Sequence, residues 1–482
     1  MGPNPAGPVL TGEGIIIMET TSKPTYLCHD GFFYKEIFSM LLLVALQNVV
    51  NYSVNMADNI MLGSYSQSAL SGAACVNQFF FVVQMLANGL ATGFSAIGAQ
   101  YWGQKRTEPI CRLAGIGLKW EIIVSVAVFA VMALLPEQIL GLFTNDETII
   151  VEGVAYMGII KYSMIPYFIS VMLIMVMRTV GTVHIATWLS AVTLLINVSV
   201  NYTLIFGHFG FEEMGIRGAA IGTLIARCVE LGVMIWYVGS RDKKLKLFKS
   251  GLLMSDGGMT KDFFAVTMPV MITSICWALA TPVQSGILGH VSSDAIAANS
   301  VASTFYQYLK VISSSFGAVS AVIIGRTVGT GDIVRVKQQA HSLELITIAL
   351  GVTLAGLLFV LRVPLLTLYK LNPEALVLAD RLIKLMCFIM IGMSYEAQML
   401  FGVMRGAGDT KFTSFINMFF TWTVSVPLAF LSAFVWKLDV VWIVLCIQSD
   451  QIIKCIPAYI RLHFSGDKWI KKLTREENPA EA

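Results

Sequence analysis

A stripe of polar side chains in an otherwise apolar stretch is the first candidate for chemistry in this sequence. The stripe consists of Asn48, Asn51, Asn55 and Asp58. Spacings of three, four and three residues place these side chains on one face of a helix. The surrounding residues, 37–62, are apolar and numerous enough to cross a bilayer. A carboxylate at that depth costs roughly 2.5–3.5 kcal/mol on insertion scales. Either Asp58 binds a proton or a small cation, or neighbouring amides satisfy it as a buried structural residue.

Polar residues recur on later apolar segments. Asn197 and Asn201 are four residues apart and share one helical face, and Thr223 adds a hydroxyl on the next segment. Amides can solvate a cation or a carboxylate, but they do not take up a proton at neutral pH. Lys310 and Glu396 are isolated charges in two further apolar segments. An intramembrane lysine needs a partner, and Glu396 is the candidate on charge alone. A static ion pair explains these two charges as well as a functional role does.

The composition places these residues in a membrane. Of the 482 residues, 56% are hydrophobic and 13% are charged, whereas soluble proteins carry about 25% charged residues. The chain is therefore predicted to be an all-α integral membrane protein with room for roughly a dozen helices. Eight cysteines occur without a CxxC pair, which gives no support for a disulfide framework or a zinc site.

Breaks in the apolar pattern divide the chain into twelve predicted transmembrane helices. They are residues 36–62, 69–100, 113–135, 152–177, 183–206, 217–238, 263–289, 295–325, 340–361, 377–404, 411–435 and 440–463. An even number of spans puts both termini on one side. Most of the 33 Lys and Arg residues fall in segments on that side, so the positive-inside rule predicts a multi-pass cell-membrane protein with cytoplasmic termini.

The two halves of the chain repeat each other. Gly63 and Gly103 recur as Gly289 and Gly329 at an offset of 226 residues, and RTVG at 178–181 recurs as RGAG at 405–408. Because each half has six spans, the repeats are parallel, which is typical of transporters. The predicted regions are a cytoplasmic lead-in (1–34), an N-lobe (35–238), a cytoplasmic linker (239–262), a C-lobe (263–465) and a cytoplasmic tail (466–482).

The polar stripe recurs in the second half, but its charged residue does not. Asp58 corresponds to Gln284, so a carboxylate ion site would belong to the N-lobe. A ligand is expected between the halves near the bilayer midplane. The candidate cavity residues are Asn48, Asn51, Gln78, Gln84, Asn88, Trp277, Thr281, Gln284, Lys310 and Glu396.

Several short motifs, taken in order, resemble one transporter family. They are NMADNIMLG (55–63), GAQYWGQKR (98–106), RTVG (178–181), NVSVN (197–201), GIRGAA (215–220) and RGAGDTK (405–411). Their order and spacing are similar to those of the multidrug and toxic compound extrusion (MATE) family over about residues 35–465.

The resemblance implies two six-helix lobes around a central cavity and a secondary active multidrug exporter. Such a protein exports amphipathic, often cationic compounds in exchange for H⁺ or Na⁺. By resemblance Asp58, Asn197 and Thr223 belong to the cation site, and Asn201 stands where some members have a second Asp. With Asn55 and Asn201 they form the predicted cation-binding set. No cofactor or nucleic acid is expected, no metal beyond a possible Na⁺ at Asp58, and the protein is predicted to act as a monomer.

Two other functions are alternatives to export. A flippase for lipid-linked saccharides, from a related superfamily, predicts a more cationic cavity for pyrophosphate, whereas the cavity charges here are predicted to be mixed and few. A membrane-embedded enzyme or receptor predicts a clustered catalytic set or a large soluble loop, and the sequence has neither. The absence of a Gly-Lys-Ser/Thr phosphate loop argues against ATP as the energy source on this chain.

Overall fold

The structure, a computed structural model, describes residues 27–249, 257–291, 293–367 and 373–474. In this part of the chain the regular structure is entirely helical. The predicted lead-in (1–34), linker (239–262) and tail (466–482) lie partly outside these ranges.

Twelve long helical segments follow one another through the described residues. They are α1 (Gly31–Tyr65), α2 (Gln67–Gly103), α3 (Thr107–Leu134), α4 (Glu147–Thr179), α5 (His184–Phe206), α6 (Ile216–Ser240), α7 (Gly257–Gly289), α8 (Ser293–Thr330), α9 (Ile333–Leu366), α10 (Pro373–Gln398), α11 (Thr410–Val435) and α12 (Val440–Phe464). A π-helical segment, Met399–Met404, continues α10. A short helix, Pro136–Gly141, connects α3 to α4.

The prediction of an all-α membrane protein is confirmed. Within the described ranges, ten helices are long and apolar enough to cross a bilayer. An eleventh span is α12, which bends by 48° between Val440–Ile447 and Asp450–Phe464. The remaining helix, α10, falls short because it contains five charged residues, Glu374, Asp380, Arg381, Lys384 and Glu396.

Acidic side chains start four of these helices, and at α12 the Asp439 side chain accepts from the backbone N–H of Val440 at 2.8 Å. Asp30 precedes α1 and accepts a hydrogen bond from the backbone N–H of Phe32 at 2.9 Å, and Asp332 does the same for Arg335 at α9. Before α4, Asp146 accepts from both the side chain and the backbone of Thr148. These bonds lower the pKa of Asp146 from its usual value. Such N-caps satisfy orphan backbone donors and fix where each helix begins.

The interface between the halves has the symmetry that the repeat predicts. Helix α1 packs against α8, and the equivalent pair, α7 and α2, packs in the same way. Helices α2 and α8 also contact each other directly. These four helices therefore bring the first six spans against the last six.

The repeated glycines allow α2 and α8 to cross in backbone contact. A Cβ added at Gly103 would collide with the carbonyl oxygen of Arg326, and one added at Gly329 would collide with that of Gln100. The two collisions are related by the 226-residue offset. Both lie at the end of the bundle where α1 begins, here called the inner end. Gly103 and Gly329 therefore permit α2 and α8 to approach closely, which brings the two halves into contact at the inner end.

The segment after α12 adds a second closure at the inner end. Gln100 of α2 donates to the carbonyl oxygen of Lys471 at 2.9 Å and accepts from the N–H of Leu473 at 2.7 Å. The Lys471 ammonium pairs with Asp409, between α10 and α11, at 2.5 Å. Trp469 is 1% exposed. Residues 466–474 of the predicted tail are thus packed against both halves.

Charged residues from α1, α8 and the linker meet at the same end. Arg326 pairs with Glu36 at 2.6 Å and donates to the carbonyl oxygen of Thr179. Lys244 donates to the carbonyl oxygen of Val180 at 2.8 Å. Burial, followed by the nearby charge of Arg326, lowers the pKa of Lys244.

Candidate functional site

A chain of hydrogen bonds in the first half connects Asp58 to α5 and α6. The amide of Asn201 donates to the Asp58 carboxylate at 2.5 Å and lies 3.3 Å from the side-chain oxygen of Asn197. Asn197 in turn donates to the Thr223 hydroxyl at 3.3 Å. Asn197 and Asn201 are buried, at 1% and 0% exposure. The structure therefore brings together Asp58, Asn197, Asn201 and Thr223 of the predicted cation-binding set.

Within this chain of hydrogen bonds, the side-chain oxygen of Asn201 is an acceptor without a donor. It is buried and has no hydrogen-bond partner among the described residues. An orphan acceptor next to a carboxylate is a suitable ligand for a small cation, because hard cations prefer oxygen ligands. A cavity of about 50 Å³ lies beside Asp58, and its lining includes Asn55, Thr223 and Arg227. The Asn201 oxygen itself packs against Gly222 and does not line this cavity. The carboxylate, amide and hydroxyl oxygens of Asp58, Asn55 and Thr223 do line it, and they fit a proton or a Na⁺ ion.

Other acids of the first half are arranged differently from Asp58. Glu230 pairs with Arg227 at 2.7 Å, one turn apart on α6, as their spacing predicts. Glu121 of α3 is buried, and neither carboxylate oxygen has a hydrogen-bond partner in the part of the chain that the structure describes. Glu121 does not line the cavity beside Asp58. Asp58 is therefore the acid that this cavity exposes.

The contact between Asn201 and α6 gives a test that changes no polar group. A Cβ at Gly222 would collide with the Asn201 oxygen. We expect Gly222→Ala to displace Asn201 from Asp58 and to lower gradient-driven transport by about tenfold, equivalent to the roughly 1.4 kcal/mol of one hydrogen bond to a charged group. Gly232→Ala on the same helix is the matched control, since nothing lies within 4 Å of its added Cβ. Equal transport by the two variants, at equal membrane levels, would contradict this geometry.

The remaining predicted residues of the first half are dispersed. Asn48 donates to Ser315 on α8 at 2.8 Å and so connects the two halves. Gln84 lines the cavity beside Asp58, and Asn88 donates to the Gln84 carbonyl at 2.8 Å. Asn51 and Gln78 are exposed on α1 and α2, and neither lines the cavities described here.

A larger cavity, here called the C-lobe cavity, occupies the second half. Its volume is about 300 Å³, and all five second-half candidates line it: Trp277, Thr281, Gln284, Lys310 and Glu396. Gln284, the repeat partner of Asp58, donates to the Ser425 hydroxyl on α11 at 3.1 Å. The contact between Asp58 of α1 and Asn201 of α5 therefore has an equivalent in the second half, between Gln284 of α7 and Ser425 of α11, in which neither side chain is charged.

The partner of Glu396 is a lysine that the sequence pattern did not single out. Lys454 of α12 lies 3.3 Å from Glu396 and 2.6 Å from Asp450. It also donates to Asn417 at 2.6 Å. The proposed Lys310–Glu396 pair is therefore replaced by Lys454–Glu396, and no ion pair to Lys310 occurs within the described ranges. The signal that could have revealed the cluster is the four-residue spacing of Asp450 and Lys454 in an apolar segment.

A third cavity, here called the inner cavity, lies between the halves below the C-lobe cavity. Its volume is about 190 Å³, and it is lined by Arg178 and Arg405, which are repeat partners. Together the two cavities are lined by four basic residues and two acids: Lys310, Lys454, Arg178 and Arg405 against Glu396 and Asp450. The charges that line these two cavities are therefore of both signs, as the sequence predicts, with basic residues in excess by two.

Known proteins are similar to this chain in architecture and in sequence. A crystallised mutant of the MATE transporter VcmN from Vibrio cholerae superimposes with a TM-score of 0.81 at 18% identity, covering 90% of this chain and 97% of that one. The probable multidrug resistance protein NorM of Thermotoga maritima is 24% identical over 92% of this chain and 95% of its own length. The probable multidrug resistance protein YoeA of Bacillus subtilis is 25% identical over 90% and 93%.

The MatE family model matches residues 44–203 and 269–431, one match in each half. The chain belongs to the MATE family. MATE proteins form a family of transporters and not of enzymes. The family assignment also confirms the resemblance drawn from the six sequence motifs.

Proposed function

We propose that this MATE protein is a secondary active multidrug exporter in which H⁺ or Na⁺ binds at Asp58. The observation that carries the proposal is that the Asp58 carboxylate, bonded to Asn201 at 2.5 Å, lines a small cavity together with Asn55 and Thr223. The site is separate from the C-lobe cavity, so ion and substrate need not compete for the same atoms. With separate sites, ion and substrate can each shift the equilibrium between two conformational states through their own difference in affinity.

Helix α1 is the element through which ion binding would act. It carries Asp58 in its outer half, Asn48 against α8 near its middle, and Glu36 in the Arg326 ion pair at the inner end. A proton or Na⁺ bound at Asp58 neutralises the carboxylate that Asn201 contacts. If α1 shifts in response, the Asn48–Ser315 and Glu36–Arg326 contacts between the halves change as well. An ion shifts the equilibrium by as much as its affinity differs between the two states.

The C-lobe cavity is the proposed substrate site. Its volume of about 300 Å³ is at the lower end of the range for drug-sized ligands. The lining mixes Trp277, Phe401 and Met393 with hydroxyl, amide and charged groups, as amphipathic compounds require. The relatives from Thermotoga maritima and Bacillus subtilis are named as probable multidrug resistance proteins, which supports export of small compounds.

The proposed setting is the cell membrane, with the inner end in the cytoplasm and the protein acting as a monomer. The bias of Lys and Arg towards the inner segments supports this orientation. The inner ends of α2 and α8 are closed by backbone contact, so a substrate in the C-lobe cavity would leave towards the outside.

Transport by purified protein in liposomes tests the proposal. A fluorescent amphipathic dye should move against its gradient when a pH or Na⁺ gradient is imposed, and the effective gradient identifies the ion. ATP without a gradient should produce no movement. Transport that depends on ATP, or that continues equally after both gradients are collapsed, would contradict secondary active export.

A further inference from the structure

A pocket lined by basic residues, here called the basic pocket, opens at the inner end beside the contact between α2 and α8. Its volume is about 500 Å³. The lining includes three threonine hydroxyls, the indole of Trp102 and four basic side chains: Lys105, Lys244, Arg326 and Arg335. No acidic residue is among the described residues that line it. The basic side chains come from the α2–α3 turn, the segment after α6, α8 and α9, so both halves contribute to this pocket.

The acids near the basic pocket pair with its two arginines. Glu36 contacts the Arg326 guanidinium at 2.6 Å, and Asp30 contacts that of Arg335 at 2.6 Å. Arg326 also donates to the carbonyl oxygen of Thr179 through Nε and Nη2, at 3.2 and 2.9 Å. A guanidinium has five N–H groups, so two of those of Arg326 have no partner within the ranges that the structure describes.

The two lysines of the basic pocket have no carboxylate within ion-pair distance in the described part of the chain. The ammonium of Lys244 donates to the carbonyl oxygen of Val180 at 2.8 Å and lies 6.0 Å from the ring centroid of Trp102. Burial lowers the pKa of Lys244, and the charge of Arg326 lowers it further against the opposing effect of the nearby acids. An excess of positive charge therefore remains after the two ion pairs are counted.

Lys105 reaches the basic pocket from a backbone conformation that lysine rarely adopts. Its φ is +60°, in the left-handed region where glycine is favoured and most side chains are strained. The repeat partner at the 226-residue offset is Gly331, whose φ is +83°. The same turn thus has a glycine in the second half and a lysine in the first. Backbone strain of this kind clusters at ligand sites, and here it supplies an ammonium to the pocket that the arginines of the other half line.

We propose that the basic pocket binds a phosphate group, carried by an anionic lipid headgroup or by a soluble phosphate compound. Phosphate oxygens accept hydrogen bonds from arginine, lysine and threonine together, and the arginine fork matches their geometry. The pocket lies where α2 and α8 end, and basic pockets between transmembrane helices at this level bind anionic headgroups. Because the lysines and the arginines belong to different parts of the molecule, a bound phosphate would hold the halves together at the inner end.

Binding of dihexanoylphosphatidylglycerol to the detergent-solubilised protein tests the site, at an ionic strength of about 0.15 M where exposed charges are largely screened. Lys105→Gly removes the ammonium and keeps the turn, as Gly331 does in the second half. We expect it to weaken binding roughly 10-fold or more, the loss of a charge-assisted contact. The thermal midpoint of the ligand-free variant should not fall, because glycine adopts this conformation without strain. Lys105→Arg should retain most of the affinity.

Lys437→Gly is the matched control. Lys437 lies between α11 and α12 at the opposite end, has a φ of +47° and does not line the basic pocket. The control therefore loses the same charge and relieves the same kind of strain, and it should bind phosphatidylglycerol as the unaltered protein does. Equal weakening in Lys437→Gly and Lys105→Gly would mean that affinity follows net charge, and it would refute the site.

Inorganic phosphate and dihexanoylphosphatidylcholine distinguish the two sources of the phosphate group. A headgroup site predicts that phosphatidylcholine, whose choline cation opposes the charge of the pocket, binds roughly 10-fold more weakly than phosphatidylglycerol, and that inorganic phosphate does not compete. A site for soluble phosphate compounds predicts that inorganic phosphate displaces phosphatidylglycerol and that Lys105→Gly weakens its binding. Absence of binding by both probes, or binding that Lys105→Gly leaves unchanged, would overturn the proposal. Binding involves no transport step, so the result is independent of the export function proposed above.

Discussion

Asp58→Asn is expected to abolish gradient-driven export while leaving the protein folded in the membrane. The substitution keeps the shape of the side chain and a hydrogen-bonding group towards Asn201, but it removes the charge and the capacity to take up a proton. Coupling free energies of about 1–3 kcal/mol correspond to factors of roughly 5–150. We therefore expect the resistance of a drug-sensitive host, and the uptake of a dye into liposomes, to fall by a factor of roughly 5–150 or more.

The matched control for this variant lies on the same helix. Ser53 bonds to the carbonyl oxygen of Val49 within α1 and lines none of the three cavities. Ser53→Ala should retain export at the unaltered level. Full resistance conferred by Asp58→Asn, at a membrane level equal to that of the control, would remove Asp58 from the mechanism.

Lys454→Met is expected to destabilise the second half by about 3–5 kcal/mol, because it leaves two buried carboxylates without their cation. Lys454 is 1% exposed, and its ammonium contacts Glu396, Asp450 and Asn417. Methionine fills a similar volume, so the loss is electrostatic rather than a packing defect. The free energy of unfolding of the detergent-solubilised protein, or its thermal midpoint, measures the effect.

A rescue experiment separates charge from packing in this cluster. Adding Asp450→Asn and Glu396→Gln to Lys454→Met removes the uncompensated charges, and this variant should regain most of the lost stability. Replacing a whole buried ionic group by neutral residues is often close to neutral. Lys384→Met, which removes an exposed lysine of α10 that pairs with Asp380, is the control. If Lys454→Met is as stable as this control, the cluster does not hold α10 against α12.

Local pattern was sufficient to predict the helices, and it selected Asp58, Asn197 and Asn201, whose side chains the structure brings together. An apolar segment of about 20 residues is long enough to indicate a membrane-spanning helix without further information. The three-four-three spacing of the α1 stripe places its side chains on one helical face, however the helices pack. The repeat offset also identified Gly103 and Gly329, although it did not show that each packs against the other half. That contact depends on the crossing of α2 and α8, which no local pattern encodes.

Pairing of charges was the part that sequence could not determine. Lys310 and Glu396 are the conspicuous charges of α8 and α10, but which groups meet depends on how α12 bends between them. The bend places Lys454 against Glu396 and leaves Lys310 facing the cavity. The packing of residues 466–474 across the inner end was likewise not predicted, because a short basic segment resembles any solvated tail.

Substrate-triggered ion movement in sealed liposomes tests the central claim most directly. With no imposed gradient, adding a transported dye on one side should move H⁺ or Na⁺ in the opposite direction, reported by a pH- or Na⁺-sensitive dye. A clear ion signal is expected for the unaltered protein and none for Asp58→Asn. An undiminished ion signal from Asp58→Asn would contradict the claim that the coupling ion binds at Asp58.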